Sequence, residues 1–192
     1  ADIFCHFEMR RRDLQALLRN YRGLRHSAQA ASRDYHVECS APPWPGFEDV
    51  WIPIRLPIED ELQLSGRLGY ARNGAGRIID ADCIVVLPGL FGDHGVKRSA
   101  DICMPLREAG FHVLHLELRG HGQTERRYPH MYHSFGVLET DDLMQVSDWL
   151  EALPHVRRTG IVSYCWTANI GLLAAWYDGR SADDPFVPAP IA

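Results

Sequence analysis

Cys165 stands in Ser163-Tyr164-Cys165-Trp166-Thr167, where a strand pattern gives way at once to a helix pattern. A nucleophile elbow needs that strand–turn–helix context, because the sharp turn lifts one side chain clear of the sheet. The thiol is then the attacking group. The start of the following helix favours negative charge, and the Trp166 amide is a candidate donor to an oxyanion. Taken alone, a cysteine in an apolar stretch is most often a small buried hydrophobe. Loops elsewhere in the chain turn the reading toward chemistry.

Residues 88–92, Pro-Gly-Leu-Phe-Gly, follow directly on the apolar run 83–87. Glycines there let the backbone turn sharply and present N–H groups toward the elbow. The amide of Leu90 or of Phe91 is the candidate second oxyanion donor. A second loop, Arg-Gly-His-Gly at 119–122, ends the next strand and reads as a structural turn. Gly89, His94, His121 and Tyr164 are candidates to line the site. As bases, His94 and His121 compete with solvated or turn-capping roles, which are the default for a loop histidine. His112 and His115 lie among apolar strand residues and read as packing groups. His130 and His133 suggest a metal pair, but no nearby carboxylate or cysteine completes a ligand set, so structural roles are favoured and no metal is expected. Glu117 and Asp93 read as loop-orienting groups rather than catalytic acids.

The elements that must position these residues follow from periodicity. Residues 7–31 carry apolar positions at helical spacing, and the proline-rich stretch 39–46 breaks that pattern. Stretches 50–56 and 62–71 alternate as strands, the first with Pro53 and therefore at an edge. After the turn at 73–76 the pattern changes. The run 83–87 is a strand covered on both faces. It is followed by a helix over 98–109, a strand over 111–116 and a helix over 137–152. A short strand over 160–163 and a buried helix over 168–177 complete the series. Strands alternating with helices predict an α/β domain with a parallel sheet and right-handed crossovers. The division expected is an N-terminal helix and linker, 1–46, and an α/β domain, 47–192.

Composition excludes several classes. The 192 residues are 46% hydrophobic, as in a globular domain, and no apolar run approaches the length of a membrane span. A net charge of −5 gives no general reason to bind nucleic acid. The five cysteines are odd in number and contain no C-x-x-C pair, which points to reduced thiols in the cytoplasm.

In order and spacing, four pieces resemble the α/β-hydrolase superfamily, and within it the YheT-like branch of predicted hydrolases. They are residues 88–92, residues 119–122, His133-Ser134 before a helix bearing Asp141, Asp142 and Leu143, and residues 163–169. The branch has Gly-Tyr-Ser-Leu-Gly-Gly-Asn at the last place. Tyr164 and Asn169 match it. Cys165 replaces the serine, and Ser163, Thr167 and Ala168 replace the glycines. The resemblance covers about residues 50–180. It implies an α/β-hydrolase-like, mostly parallel sheet with antiparallel opening strands, incomplete at its C-terminal side.

It further implies an ester or thioester hydrolase acting through Cys165, with no organic cofactor and a small ester or acyl compound as substrate. Dienelactone-hydrolase-like enzymes and polyhydroxyalkanoate synthases use cysteine in this fold, and the latter keep an acyltransferase reading open. In the family the acid and histidine follow the nucleophile along the chain, so they are expected beyond Ala192 and the chain reads as a fragment. An unfinished sheet predicts self-association through its open edge. Cβ atoms at Ser163 and Thr167 are expected to crowd the turn. That keeps a non-catalytic relative or binding domain as the second reading.

Overall fold

The computed structural model describes residues 43–56, 61–90 and 92–179. The helix expected over 7–31 lies outside the described residues. Five strands form one sheet: β1 (Phe47–Arg55), β2 (Glu61–Gly69), β3 (Ala81–Leu87), β4 (His112–Glu117) and β5 (Val156–Ser163). Their spatial order is β1-β2-β4-β3-β5. The pairs β1–β2 and β2–β4 are antiparallel, and β3 pairs in parallel with both β4 and β5. Pro53, without an N–H to donate, sits in the edge strand β1, where one side of the backbone needs no partner.

Among the described residues four helices connect or follow the strands: α1 (Lys97–Glu108), α2 (Gly122–Arg127), α3 (Val137–Glu151) and α4 (Thr167–Asp178). The short α2 was not expected, because six residues with one buried side chain leave no helical apolar stripe to read. β4 is buried along all six residues, as its place between β2 and β3 requires. Two apolar clusters cover the two faces of the sheet. One joins Leu64, Val85, Leu87 and Leu116 to Leu143, Val146 and Leu150 of α3 and Ile170 and Ala174 of α4. The other joins Val86 and Val113 to Cys103 of α1 and to Trp44.

The expectation of a buried last helix needs correction. Ile170 and Ala174 face the core, but Leu172 is 73% and Trp176 50% exposed on the opposite side of α4. The helix is apolar all round, and the described elements cover only one face of it. Among the described residues β5 is the other edge strand, and a cavity of about 460 Å³ lies where Thr159 and Ile161 of β5 meet Leu143 of α3 and Leu172 of α4. No described helix is long and apolar enough to cross a membrane.

Candidate active site

Because β3, β4 and β5 are parallel, their carboxyl ends meet on one side of the sheet. In open α/β sheets that side is where ligands bind. Register does the rest: Leu87, the last residue of β3, pairs with Ser163, the last of β5. The glycine loop after β3 and the turn after β5 therefore start side by side, although about eighty residues separate them in sequence.

Cys165 is exposed and has φ 62°, in the left-handed region. For a residue with a side chain that conformation costs on the order of 1–2 kcal/mol, and it persists only where the surroundings impose it. Here strand β5 and helix α4, which begins two residues later at Thr167, set both ends of the turn. Gly89 lies directly over it: a Cβ built on Gly89 would stand 3.4 Å from Cys165 Cβ and 3.8 Å from its Sγ. Loop 88–92 closes on itself through a hydrogen bond from the Gly92 amide to the Gly89 carbonyl, 2.8 Å. Gly92 has no room for a side chain, since its Cβ would come within 2.6 Å of Pro88 Cβ. Leu90 is 38% exposed in this turn. Phe91 lies outside the described residues.

The crowding expected from Ser163 and Thr167 is relieved by particular neighbours. The Ser163 hydroxyl lies against Gly171 of α4, where an added Cβ would be only 2.5 Å from it. The small residue that the elbow requires has thus moved from the strand to the helix. Thr167 is buried, and its hydroxyl donates to the Tyr164 carbonyl at 2.9 Å. Tyr164 packs outward from the turn, with its hydroxyl 3.4 Å from Ser99 Oγ and the Arg98 guanidinium 5.8 Å from its ring centre.

His94 and His121, whose default reading was solvated or turn-capping, are both buried, and His112 and His115 are buried as packing groups should be. His94 is buried, with its Nδ1 2.8 Å from His115 Nδ1 and its Nε2 3.1 Å from Ser65 Oγ. Burial, reinforced by His115, lowers its pKa to about 2, and burial lowers that of His115 to about 3, so both rings are neutral. His112, also fully buried, accepts from the Ala71 amide at Nδ1 and donates from Nε2 to the His155 carbonyl. His121 is buried too. Its Nδ1 donates to the Arg119 carbonyl at 2.9 Å, and its ring stacks on Trp166 with centres 5.6 Å apart. His133 and Phe135 complete an aromatic group around Trp166, with His133 5.0 Å and Phe135 6.2 Å from it. Among the described residues no three His, Cys, Asp or Glu side chains come together to hold a metal.

Buried carboxylates hold the surrounding loops, Glu117 and Asp142 among them. Glu117 accepts from the His94 and Gln123 amides, and burial nevertheless raises its carboxyl to about 7. Asp142 accepts from Arg119 of loop 119–122, and burial raises it to about 6 against the pull of that guanidinium. Asp93 accepts from the Gly95 amide in its own turn. Gly171 and the Trp166 aromatic group are the parts that motif reading missed, whereas Glu117 binds the amides of its neighbouring loops, in keeping with its reading as a loop-orienting group. The only sequence hint was an interior glycine in α4.

The sequence matches no family model and no curated protein. Solved structures match it by shape. The α/β-hydrolase GrgF from Penicillium sp. sh18 is 20% identical with a TM-score of 0.54, the match covering 71% of this chain and 43% of that one. DcsB, solved with its substrate analogue, is 18% identical with a TM-score of 0.52, covering 67% and 40%. Est1E from Butyrivibrio proteoclasticus is 15% identical with a TM-score of 0.52, covering 68% and 46%. The chain has the α/β-hydrolase fold. The match spans less than half the length of each of these three proteins. In this chain Cys165 stands in the turn between β5 and α4, and Gly89 in the loop after β3.

Proposed function

We propose that this chain carries the nucleophile side of an acyl-transfer site of the ester or thioester hydrolase type, with Cys165 as the nucleophile. The observation that carries the reading is the exposed Cys165 at φ 62°, with Gly89 in contact range of its side chain. A turn of that strain holds a thiol at the open end of a parallel sheet, and a buried packing cysteine needs no such turn. The two other described cysteines, Cys83 and Cys103, are buried in the core, and burial pushes each thiol up to about 12.

In the proposed reaction the Cys165 sulfur attacks the substrate carbonyl and forms a C–S bond, while the carbonyl π electrons move to oxygen. The amides of Trp166 and Leu90 donate to that oxyanion. Its collapse breaks the bond to the leaving alcohol or thiol, and the leaving group takes up a proton. Water then attacks the thioester and restores the thiol. The base that accepts the thiol proton is assigned to an Asp/Glu–His pair after the elbow, in the chain order of the fold. The second reading, a non-catalytic relative, draws on Ser163 and Thr167 standing where glycines are usual.

One experiment separates the two. The full-length protein is mixed with p-nitrophenyl acetate or a short acyl-CoA, and acylation is followed by the mass of the Cys165 peptide. Acylation of Cys165 that disappears in Cys165→Ala supports the enzyme. Turnover unchanged in Cys165→Ala rejects Cys165 as nucleophile, and no acylation at all leaves the non-catalytic reading.

A further inference from the structure

We propose that Glu117 is a positioning residue that clamps the glycine loop after β3 to the start of α2, and so holds the Gly89 turn over Cys165. The consequence for acylation rests on the acyl-transfer reading of Cys165. The clamp itself rests on geometry alone.

Glu117 ends β4, between the two loops it joins, and is 1% exposed. Each carboxylate oxygen takes one backbone donor. Oε1 accepts from the His94 amide at 2.8 Å, and Oε2 from the Gln123 amide at 2.7 Å. The two amides belong to segments that share no ladder, and the carboxylate links them directly. Its fit is close: Gly122 has φ +49°, and a Cβ there would stand 2.2 Å from Oε1. The start of α2 is itself fixed to the sheet. Thr124 Oγ1 donates to the Glu117 carbonyl and accepts from the Ser65 amide, both at 2.8 Å. Ser65 is also the residue paired with Glu117 across β2 and β4. Glu117 therefore ties the loop at His94 to a frame that is itself fixed to the sheet.

The His94 ring secures the same loop from below. With Nδ1 atoms 2.8 Å apart, either His94 or His115 must donate to the other. His115 Nε2 is buried with no partner among the described residues. A proton on His115 Nδ1 leaves that Nε2 as a bare acceptor, whereas the alternative buries an unpaired N–H, the costlier orphan. His115 is thus the donor. His94 Nε2–H then points to Ser65 Oγ at 3.1 Å, with Glu117 Oε2 3.4 Å away. Burial keeps both rings neutral, so the array holds the loop by hydrogen bonds rather than by charge.

The test is amide hydrogen exchange on the full chain, comparing wild type with Glu117→Gln and Gln123→Pro. The glutamine turns one acceptor into a donor facing an N–H. The proline removes the Gln123 donor and puts a ring carbon in its place, at an exposed position within the first turn of α2. Expected in both is at least tenfold faster exchange at His94, with Leu143–Leu150 of α3 unchanged. In Glu117→Gln, acylation of Cys165 by p-nitrophenyl acetate falls at least tenfold, while its alkylation by iodoacetamide, which forms no oxyanion, stays within twofold. Unchanged protection at His94 overturns the clamp, as does faster exchange of the loop and α3 together, which marks simple destabilisation. If wild-type Cys165 takes no acyl group, the acyl-transfer reading falls and the exchange result still decides the clamp.

Discussion

Gly89→Ala separates reactivity from stability at this site. Gly89 is not in the left-handed region, so alanine meets no backbone penalty there. The contacts of its Cβ, 3.4 Å to Cys165 Cβ, 3.7 Å to Tyr164 Cε2 and 3.8 Å to Cys165 Sγ, are ordinary van der Waals distances. Folding is then unharmed, and the loss of unfolded-chain freedom adds about 0.4–1 kcal/mol. The site fares differently. A reacting carbon must come within about 3–3.5 Å of the sulfur, and a displacement of about 1 Å costs on the order of 10²-fold. A methyl 3.8 Å from Sγ takes one side of that approach. Since reagent still has the other side, the expected loss is about 10- to 100-fold, or roughly 1.4–2.7 kcal/mol of barrier. The assay is the rate of iodoacetamide alkylation at the Cys165 peptide beside a thermal melt. Gly92→Ala is the contrast, because its Cβ meets Pro88 at 2.6 Å and must disturb the loop. Gly89→Ala with alkylation within twofold of wild type refutes the placement of Gly89 over the thiol. A fall of several degrees in Tm shows instead that the residue serves folding.

Two further outcomes are expected. Gly171→Ala brings a Cβ to 2.5 Å from Ser163 Oγ, an overpacking worth about 1–3 kcal/mol in urea unfolding. Ser163→Gly should remove most of that cost in the double variant, and strictly additive losses would count against the exchange of small residues. Stability should also depend on pH in a split way. His94 and His115 titrate near 2 and 3 when folded and near 6.5 when unfolded. The unfolded chain therefore takes up more protons as pH falls below 6.5, and each histidine withdraws roughly 1.4 kcal/mol per pH unit until its folded pKa is reached. Glu117 and Asp142 act oppositely, being protonated in the fold up to about 7 and about 6. Lowering pH through those values toward the ordinary carboxylate range restores what their burial costs. The two effects nearly cancel between about pH 4.5 and 6, Asp142 still opposes the histidines down to about 3.8, and below that the two histidines prevail and stability falls steeply. Stability that rises on acidification below pH 4 would exclude neutral buried histidines.

The order of the strands and of the longer helices was legible because each has a local cause, whereas the six-residue α2 offers no apolar stripe to read. Alternation marks β1 and β2, an unbroken apolar run marks β3, and residues at helical spacing mark α3. The place of Cys165 was legible too, since a strand that passes at once into a helix leaves a turn only two or three residues in which to reverse. The tertiary structure decided what those signals leave open. The loop at Gly89 lies over Cys165 because β3 and β5 are neighbours in register, a pairing of residues nearly eighty positions apart. Ser163 is accommodated because a glycine waits on α4, and His94 is a buried anchor because Ser65, His115 and Glu117 converge on it from β2 and β4. A short motif records the sterics of its own backbone. Whether a thiol stands open and a histidine stands closed depends on which distant strand lies alongside, and that is a property of the assembled sheet.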